Sequence, residues 1–208
     1  MPPAAAARRA GYTVSVISAK DLRSVPPGAL ERIANTDSRV GSNPRLLLSQ
    51  FRENLALLPA IKAELQDLWR EQPPDLVVAD SVAPVGGLVC DELGIPWITT
   101  IATPFAIENR TGVPAYCGGW RPGHPWRDAL GRACIRGFKR AVAWHFRKEF
   151  ALLGGPFPYR EDGTERIYSP RAILGFGITE LEFPRDWPAS FEMIGPVISC
   201  PNPGPPID

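Results

Sequence analysis

A strand, a helix and a second strand follow one another with short connections in residues 74–101, and this unit constrains the fold more than any other feature. DLVVAD at 75–80 is a short apolar run bounded by acids, which is typical of a strand buried on both faces. Residues 82–93 have helical character, Gly94 is a stop signal, and IPWITTI at 95–101 is the next strand. Strands joined in this way pair in parallel with a right-handed crossover. The unit therefore predicts a parallel α/β sheet.

Further helices and short strands are predicted on both sides of this unit. The predicted helices cover residues 4–10, 45–70 and 126–153, and the predicted strands cover 12–17, 172–175 and 191–194. Pro59 falls inside the second helix and should kink or divide it. One face of the last helix is apolar and consists of Leu130, Cys134, Phe138, Ala141 and His145. Strands that alternate with helices predict an α/β fold with a doubly wound parallel sheet.

Two predicted strand ends carry candidate site residues, because ligands of such sheets bind beyond the carboxyl ends of the strands. Asp80 ends the first strand. Its carboxylate could cap the following helix or serve a site, and the residue pattern alone favours the cap. Thr103, Pro104 and Phe105 begin a long loop, where they form either a ligand-binding wall or an ordinary turn. Trp120 in the same loop could line that pocket or pin the loop to the core.

Composition excludes several classes of function. The formal net charge of +1 gives no overall attraction to nucleic acid. The cysteines at 90, 117, 134 and 200 lack CxxC spacing, and no His, Cys or Glu cluster has metal spacing, so we expect neither a disulfide framework nor a metal site. The glycines at 86 and 87 belong to no phosphate-binding motif, so no cofactor site is predicted. The start is unlike a signal sequence and no apolar run spans a membrane, which predicts a cytoplasmic location.

The last predicted helix is rich in basic side chains: Arg127, Arg132, Arg136, Lys139, Arg140, Arg147 and Lys148. A solvated basic face explains the pattern, and so does a peripheral contact with a membrane surface. The two histidines are not assigned to catalysis. His124 lies in a loop that faces solvent, and His145 lies on the apolar face of the helix, where a core or boundary histidine is expected.

Four segments carry a family resemblance through their order and spacing. They are AAAARRAGYTVSVIS at 4–18, PDLVVADSVAPVGGLVCDELGIPWITT at 74–100, RAILGFGITELEFPRDWP at 171–188 and FEMIGPV at 191–197. Together they resemble the N-terminal domain of family 1 UDP-glycosyltransferases, above all the bacterial macrolide and zeaxanthin glucosyltransferases. The resemblance implies the N-terminal half of a GT-B fold. Residues 1–198 would be an acceptor-binding, Rossmann-like domain without its first strand, and residues 199–208 a proline-rich interdomain linker.

The resemblance also implies a mechanism and a substrate class. In the family a histidine after the first strand deprotonates the acceptor hydroxyl, and an aspartate after a later strand, matched here by Asp80, holds that histidine. The histidine has no match and is expected before Met1; the donor-binding domain is expected after the linker. The implied reaction transfers a hexose from a UDP-sugar co-substrate to a small lipophilic alcohol, and this chain alone is expected to be inactive. The implied acceptor-binding residues are Thr103, Pro104, Phe105 and Trp120.

Two other interpretations stay open at this point. The first is a non-catalytic or vestigial module that binds a hydrophobic small molecule, or binds a partner that carries the donor domain. The second is an unrelated flavodoxin-like α/β protein, because strand–helix alternation alone is compatible with it.

Overall fold

The computed structural model describes residues 7–18, 20–26, 44–116, 123–155 and 157–196. The predicted linker at 199–208 lies outside the described residues. The longer helices of the described residues are α1 (Pro44–Glu71), α2 (Val85–Leu93), α3 (Pro125–His145) and α4 (Arg147–Leu152), and residues 7–9 are helical as well. The strands are β1 (Val77–Asp80), β2 (Trp97–Ile101), β3 (Ile173–Gly175) and β4 (Phe191–Met193), and two short 3-10 helices cover Pro104–Ala106 and Thr179–Leu181.

The four strands form one parallel sheet in the order β1-β2-β3-β4. Val77 pairs with Trp97 between the first two strands, and Thr99 pairs with Ile173 between the next two. Ile173 in turn pairs with Phe191 on β4. The parallel α/β fold predicted from residues 74–101 is therefore confirmed.

The first core cluster joins one face of β1 and β2 to the helices α1 and α2. It consists of Leu65, Trp69, Ala79, Val85, Val89, Cys90 and Trp97. Helix α2 ends at Gly94, whose φ of 70° is left-handed, as its stop signal predicts. Helix α1 runs through Pro59 without a break, so the predicted division is wrong. Burial of Leu55 and Leu65 on either side of the proline offsets the hydrogen bond that the proline removes.

The opposite face of β1 is open, so the prediction of a strand buried on both faces is wrong. Val78 is 58% exposed and Leu76 52% exposed, whereas Ala79 is buried. Helix α2 packs on the side of Ala79, and β1 is the edge strand of the described sheet. An edge strand with one covered face alternates between buried and exposed side chains, despite its continuous apolar run.

Residues 12–17 do not form the predicted strand. The described residues 12–18 have no regular structure, and Tyr12 and Val16 are 69% and 67% exposed. A β-rich sequence becomes a strand only where a neighbour pairs with its backbone, and no strand in the described ranges lies beside this one. The guanidinium of Arg8 instead donates to the Val14 carbonyl at 2.8 Å.

Helix α3 buries a different side from the one that its apolar pattern predicts. All five residues of the predicted apolar face are exposed: Leu130, Cys134, Phe138, Ala141 and His145. The buried side carries Asp128, Gly131 and Ala143. Polar contacts of this inner side hold the helix in place; for example, Arg132 donates to the Gly112 carbonyl at 2.6 Å.

Candidate functional site

A large cavity opens between α1, the start of α2, α3 and the loop at 157–167. Its volume is about 620 Å³. The walls are overwhelmingly apolar and include Phe51, Leu58, Val82, Phe138, Val142 and Phe157. Val82 follows the carboxyl end of β1, so the cavity lies at the edge of the sheet where ligands of parallel α/β proteins bind.

Two ionisable side chains stand in this apolar wall as an ion pair. Lys139 of α3 and Glu165 both line the cavity, and the ammonium donates to the carboxylate. The same ammonium lies 3.0 Å from an oxygen of Glu108. Tyr159 donates to that oxygen at 2.6 Å, and Arg136 donates to the other at 3.0 Å. A buried network in which each charge has a partner can persist beside an apolar cavity.

The environment shifts the pKa values of this network in different directions. Burial raises the pKa of Glu108, but the hydrogen bond from Tyr159 and the charge of Lys139 outweigh it, so the pKa lies below its ordinary value. Burial raises the pKa of Glu165, and the nearby ammonium offsets only part of that effect. Burial lowers the pKa of Lys139, but the two carboxylates outweigh burial and raise it above its ordinary value. Lys139 therefore keeps its charge at neutral pH.

Asp80 lies at the carboxyl end of β1, paired in register with Thr100 of β2. Its side chain is exposed, and one carboxylate oxygen accepts the backbone N–H of Val82 at 2.9 Å. Helix α2 begins only at Val85, behind Pro84, with no side-chain cap. The prediction that Asp80 caps this helix is therefore wrong. Its carboxylate closes a turn that precedes the helix, and it lies four residues before the N-cap position Pro84. The hydrogen bond connects Asp80 to a residue of the cavity wall.

Residues 103–105, which follow β2, are not part of the cavity lining, and Phe105 contacts one of the lining residues. Pro104 is buried, Thr103 is exposed and Phe105 is 38% exposed. Phe105 meets Tyr116, a lining residue, with ring centroids 6.2 Å apart, and its carbonyl accepts the Tyr116 N–H at 3.1 Å. Their role in ligand binding stays a prediction. Trp120 lies outside the described residues.

The histidines lie away from the cavity lining. His124 precedes α3 and is exposed. His145 ends α3, and its Nε2 lies 3.4 Å from a guanidinium nitrogen of Arg52. His145 is exposed, so a core position is wrong, while its ring contacts Arg52 and the buried Phe146 at the boundary of the core. In the described ranges, no three His, Cys, Asp or Glu side chains group closely enough to hold a metal ion, and no helix is long and apolar enough to cross a membrane.

Most of the cavity wall was not predicted as a site. Phe51, Leu55 and Leu58 belong to the apolar stripe of α1, which by itself indicates only a core-facing helix. The polar residues of the wall could have indicated a site: Lys139 lies on the side of α3 that packs against the loop, and it pairs there with Glu108 and Glu165. No spacing rule connects these three residues, because the loop that brings them together has no repeating pattern.

Comparison with known proteins finds a relative, while no family model matches the chain. Over 182 residues the chain is 25% identical to a zeaxanthin glucosyltransferase of Pantoea ananas. The aligned region covers 84% of this chain and 40% of that relative. Among solved structures, the glycotransferase of kitacinnamycin is similar with a TM-score of 0.49 and 16% identity, over 80% of this chain and 38% of that one. The chain spans about two fifths of the length of these proteins. The sequence relationship confirms that the chain is glycosyltransferase-like.

Proposed function

We propose that this chain is the acceptor-binding part of a cytoplasmic glycosyltransferase that transfers a hexose from a UDP-sugar to a hydroxyl of a small lipophilic acceptor. The observation that carries the proposal is the apolar cavity of about 620 Å³ beside the end of β1. Cavities of roughly 300–1,000 Å³ with mainly apolar walls and few polar groups suit drug-sized ligands. The relative is named for zeaxanthin, which supports a lipophilic acceptor here as well.

In this proposal Asp80 orients a catalytic base. A hydroxyl becomes a good nucleophile only when a base lies within hydrogen-bond reach of its proton. A carboxylate that contacts the imidazole of such a base fixes its orientation and stabilises its cationic form. The exposed carboxylate of Asp80, hydrogen-bonded to the wall residue Val82, supports this role. Phe105 is proposed to border the acceptor through its contact with Tyr116, and Thr103 to border it from the same loop.

The UDP-sugar is proposed to bind polypeptide outside these 208 residues. The relative is much longer than the aligned region, which covers only 40% of it. The structure offers an apolar cavity, whereas the phosphates of a nucleotide require backbone N–H groups or cations. Titration calorimetry of the chain with UDP-glucose should therefore detect no binding, and micromolar binding would contradict the assignment of this chain to the acceptor side.

Acceptor binding is tested with retinol, a fluorescent polyene alcohol. The wild-type chain should bind it at a single saturable site, monitored by retinol fluorescence and by quenching of tryptophan emission. Val142→Trp puts an indole into the cavity and should weaken binding by at least about tenfold, because it removes the apolar surface that retinol would bury.

Leu181→Trp is the matched control. Leu181 is 80% exposed and does not line the cavity, so an indole there should leave retinol affinity unchanged. Circular dichroism spectra and thermal unfolding should show that both variants fold. Absence of saturable binding to the wild type, or equal weakening by both substitutions, would reject the cavity as the acceptor site.

A further inference from the structure

Helix α3 carries an exposed apolar stripe made of Trp126, Leu130, Phe138 and Trp144, which we call the tryptophan stripe. Each of these residues is between 58% and 72% exposed. Residues 18 positions apart are five helical turns apart, so Trp126 and Trp144 lie on one line of the helix, about 27 Å from each other. Large apolar side chains that are exposed together mark a binding surface.

Basic side chains accompany the tryptophan stripe. Arg140 is exposed on α3, and Lys148 is exposed on the adjoining α4. The guanidinium of Arg147 lies 5.0 Å from the ring centroid of Trp144. The only acid in the α3 sequence is Asp128, which is 5% exposed. The exposed side of α3 is therefore both apolar and cationic, and this combination complements an anionic lipid surface.

The tryptophan stripe is continuous with the cavity. Phe138 is 67% exposed and also lines the cavity. Ile135 and Val142, one helical turn on either side of Phe138, line it too. An apolar path thus leads from the outer face of α3 into the cavity past the phenyl ring of Phe138.

We propose that α3 lies in the interface of an anionic lipid bilayer, with the tryptophan stripe in the boundary between head groups and acyl chains. Amphipathic helices that lie in a membrane surface have this arrangement of aromatic side chains flanked by arginines. The acceptor then reaches the cavity from the bilayer past Phe138, a step that rests on the proposed function.

Two other occupants would also cover an apolar stripe, namely a second copy of the chain and a further part of the same polypeptide. The bilayer is favoured because the exposed side of α3 has cations and no acid, which suits phosphate head groups. A second copy would bring the same cations opposite one another in a symmetric interface, and like charges at close range are unfavourable.

The test is flotation of the 208-residue chain with vesicles of phosphatidylcholine, with and without phosphatidylglycerol. The wild type should float with the anionic vesicles, and added salt should weaken binding. The double variant Trp126→Ala/Trp144→Ala should lower the partition coefficient by at least about tenfold. Arg140→Gln should lower it by about fivefold.

Leu181→Ala removes an equally exposed apolar side chain outside α3 and should leave flotation unchanged. Val142→Trp should weaken retinol binding by at least about tenfold yet keep flotation, so failure of the membrane proposal and failure of the acceptor site give different results. A wild-type chain that does not float with the anionic vesicles would overturn the inference. So would light scattering that shows a dimer which becomes monomeric in the tryptophan double variant.

Discussion

Gly87 of α2 and Trp97 of β2 pack so closely that a methyl group on Gly87 would lie 2.3 Å from Cη2 of the indole. The indole of Trp97 cannot move away from such a methyl group. Trp97 is 3% exposed, and its Nε1–H donates to a carboxylate oxygen of Asp91 at 2.8 Å. The close approach of helix to strand in this crossover unit therefore requires glycine at position 87.

Gly87→Ala should lower the free energy of unfolding by about 1–3 kcal/mol, because the added methyl group overpacks a rigid contact. Urea denaturation followed by circular dichroism measures the change. Gly86→Ala is the control, since a methyl group there would lie 3.7 Å from Cη2 of Trp69, an ordinary contact. Its stability should be unchanged or higher by up to about 1 kcal/mol, from helix propensity. Equal losses in the two variants would contradict this account of the packing.

Thr99 supplies a buried hydrogen bond that an isosteric apolar side chain cannot replace. Its hydroxyl accepts the backbone N–H of Ser169 at 2.8 Å, and both residues are at most 2% exposed. Thr99→Val should cost about 1–3 kcal/mol of unfolding free energy, since the Ser169 N–H is left buried without that partner. Thr100→Val, on the opposite face of β2, should cost less in the same denaturation experiment. If the two variants unfold at the same urea concentration, the hydrogen bond contributes nothing measurable.

Glu108 should make the stability of the chain depend on acid pH. Its folded-state pKa lies below the ordinary value of 4.5, so its stabilising effect is complete above that value and is lost as pH falls through the folded pKa. Glu108→Gln should therefore unfold more easily than the wild type at neutral pH, and the difference should shrink as the pH falls below 4.5. Thermal unfolding across this range measures it. The exposed Glu161→Gln should track the wild type throughout, and a Glu108→Gln deficit that is constant with pH would contradict the linkage.

The crossover unit was predictable because its signals are local. Gly94 stops α2 through a left-handed backbone, and the apolar runs that precede Asp80 and follow Gly94 become β1 and β2. A helix stop and a strand between turn signals depend on a few neighbouring residues, so the sequence is sufficient to find them.

The burial of α3 was not predictable from periodicity, because its inner side is held by ion pairs. Lys139 reaches Glu108 and Glu165, which lie 31 and 26 positions away along the chain. A hydrophobic pattern marks an apolar stripe and cannot say whether that stripe meets the core or another surface. The tryptophan stripe and the cavity both follow from this arrangement, so neither could be found from local sequence.

The last prediction concerns Asp80 in a transferase completed by its donor-binding polypeptide. Asp80→Asn keeps the size of the side chain and an oxygen for the Val82 N–H, so the turn after β1 should persist. The neutral amide cannot stabilise a cationic imidazole, so kcat should fall by about tenfold or more while the KM for the acceptor changes little. Asp75→Asn, an exposed acid at the other end of the same run, should leave both parameters unchanged. Full turnover by Asp80→Asn would show that the carboxylate only closes the turn after β1. A completed protein that binds retinol but transfers no sugar would favour the non-catalytic binding module.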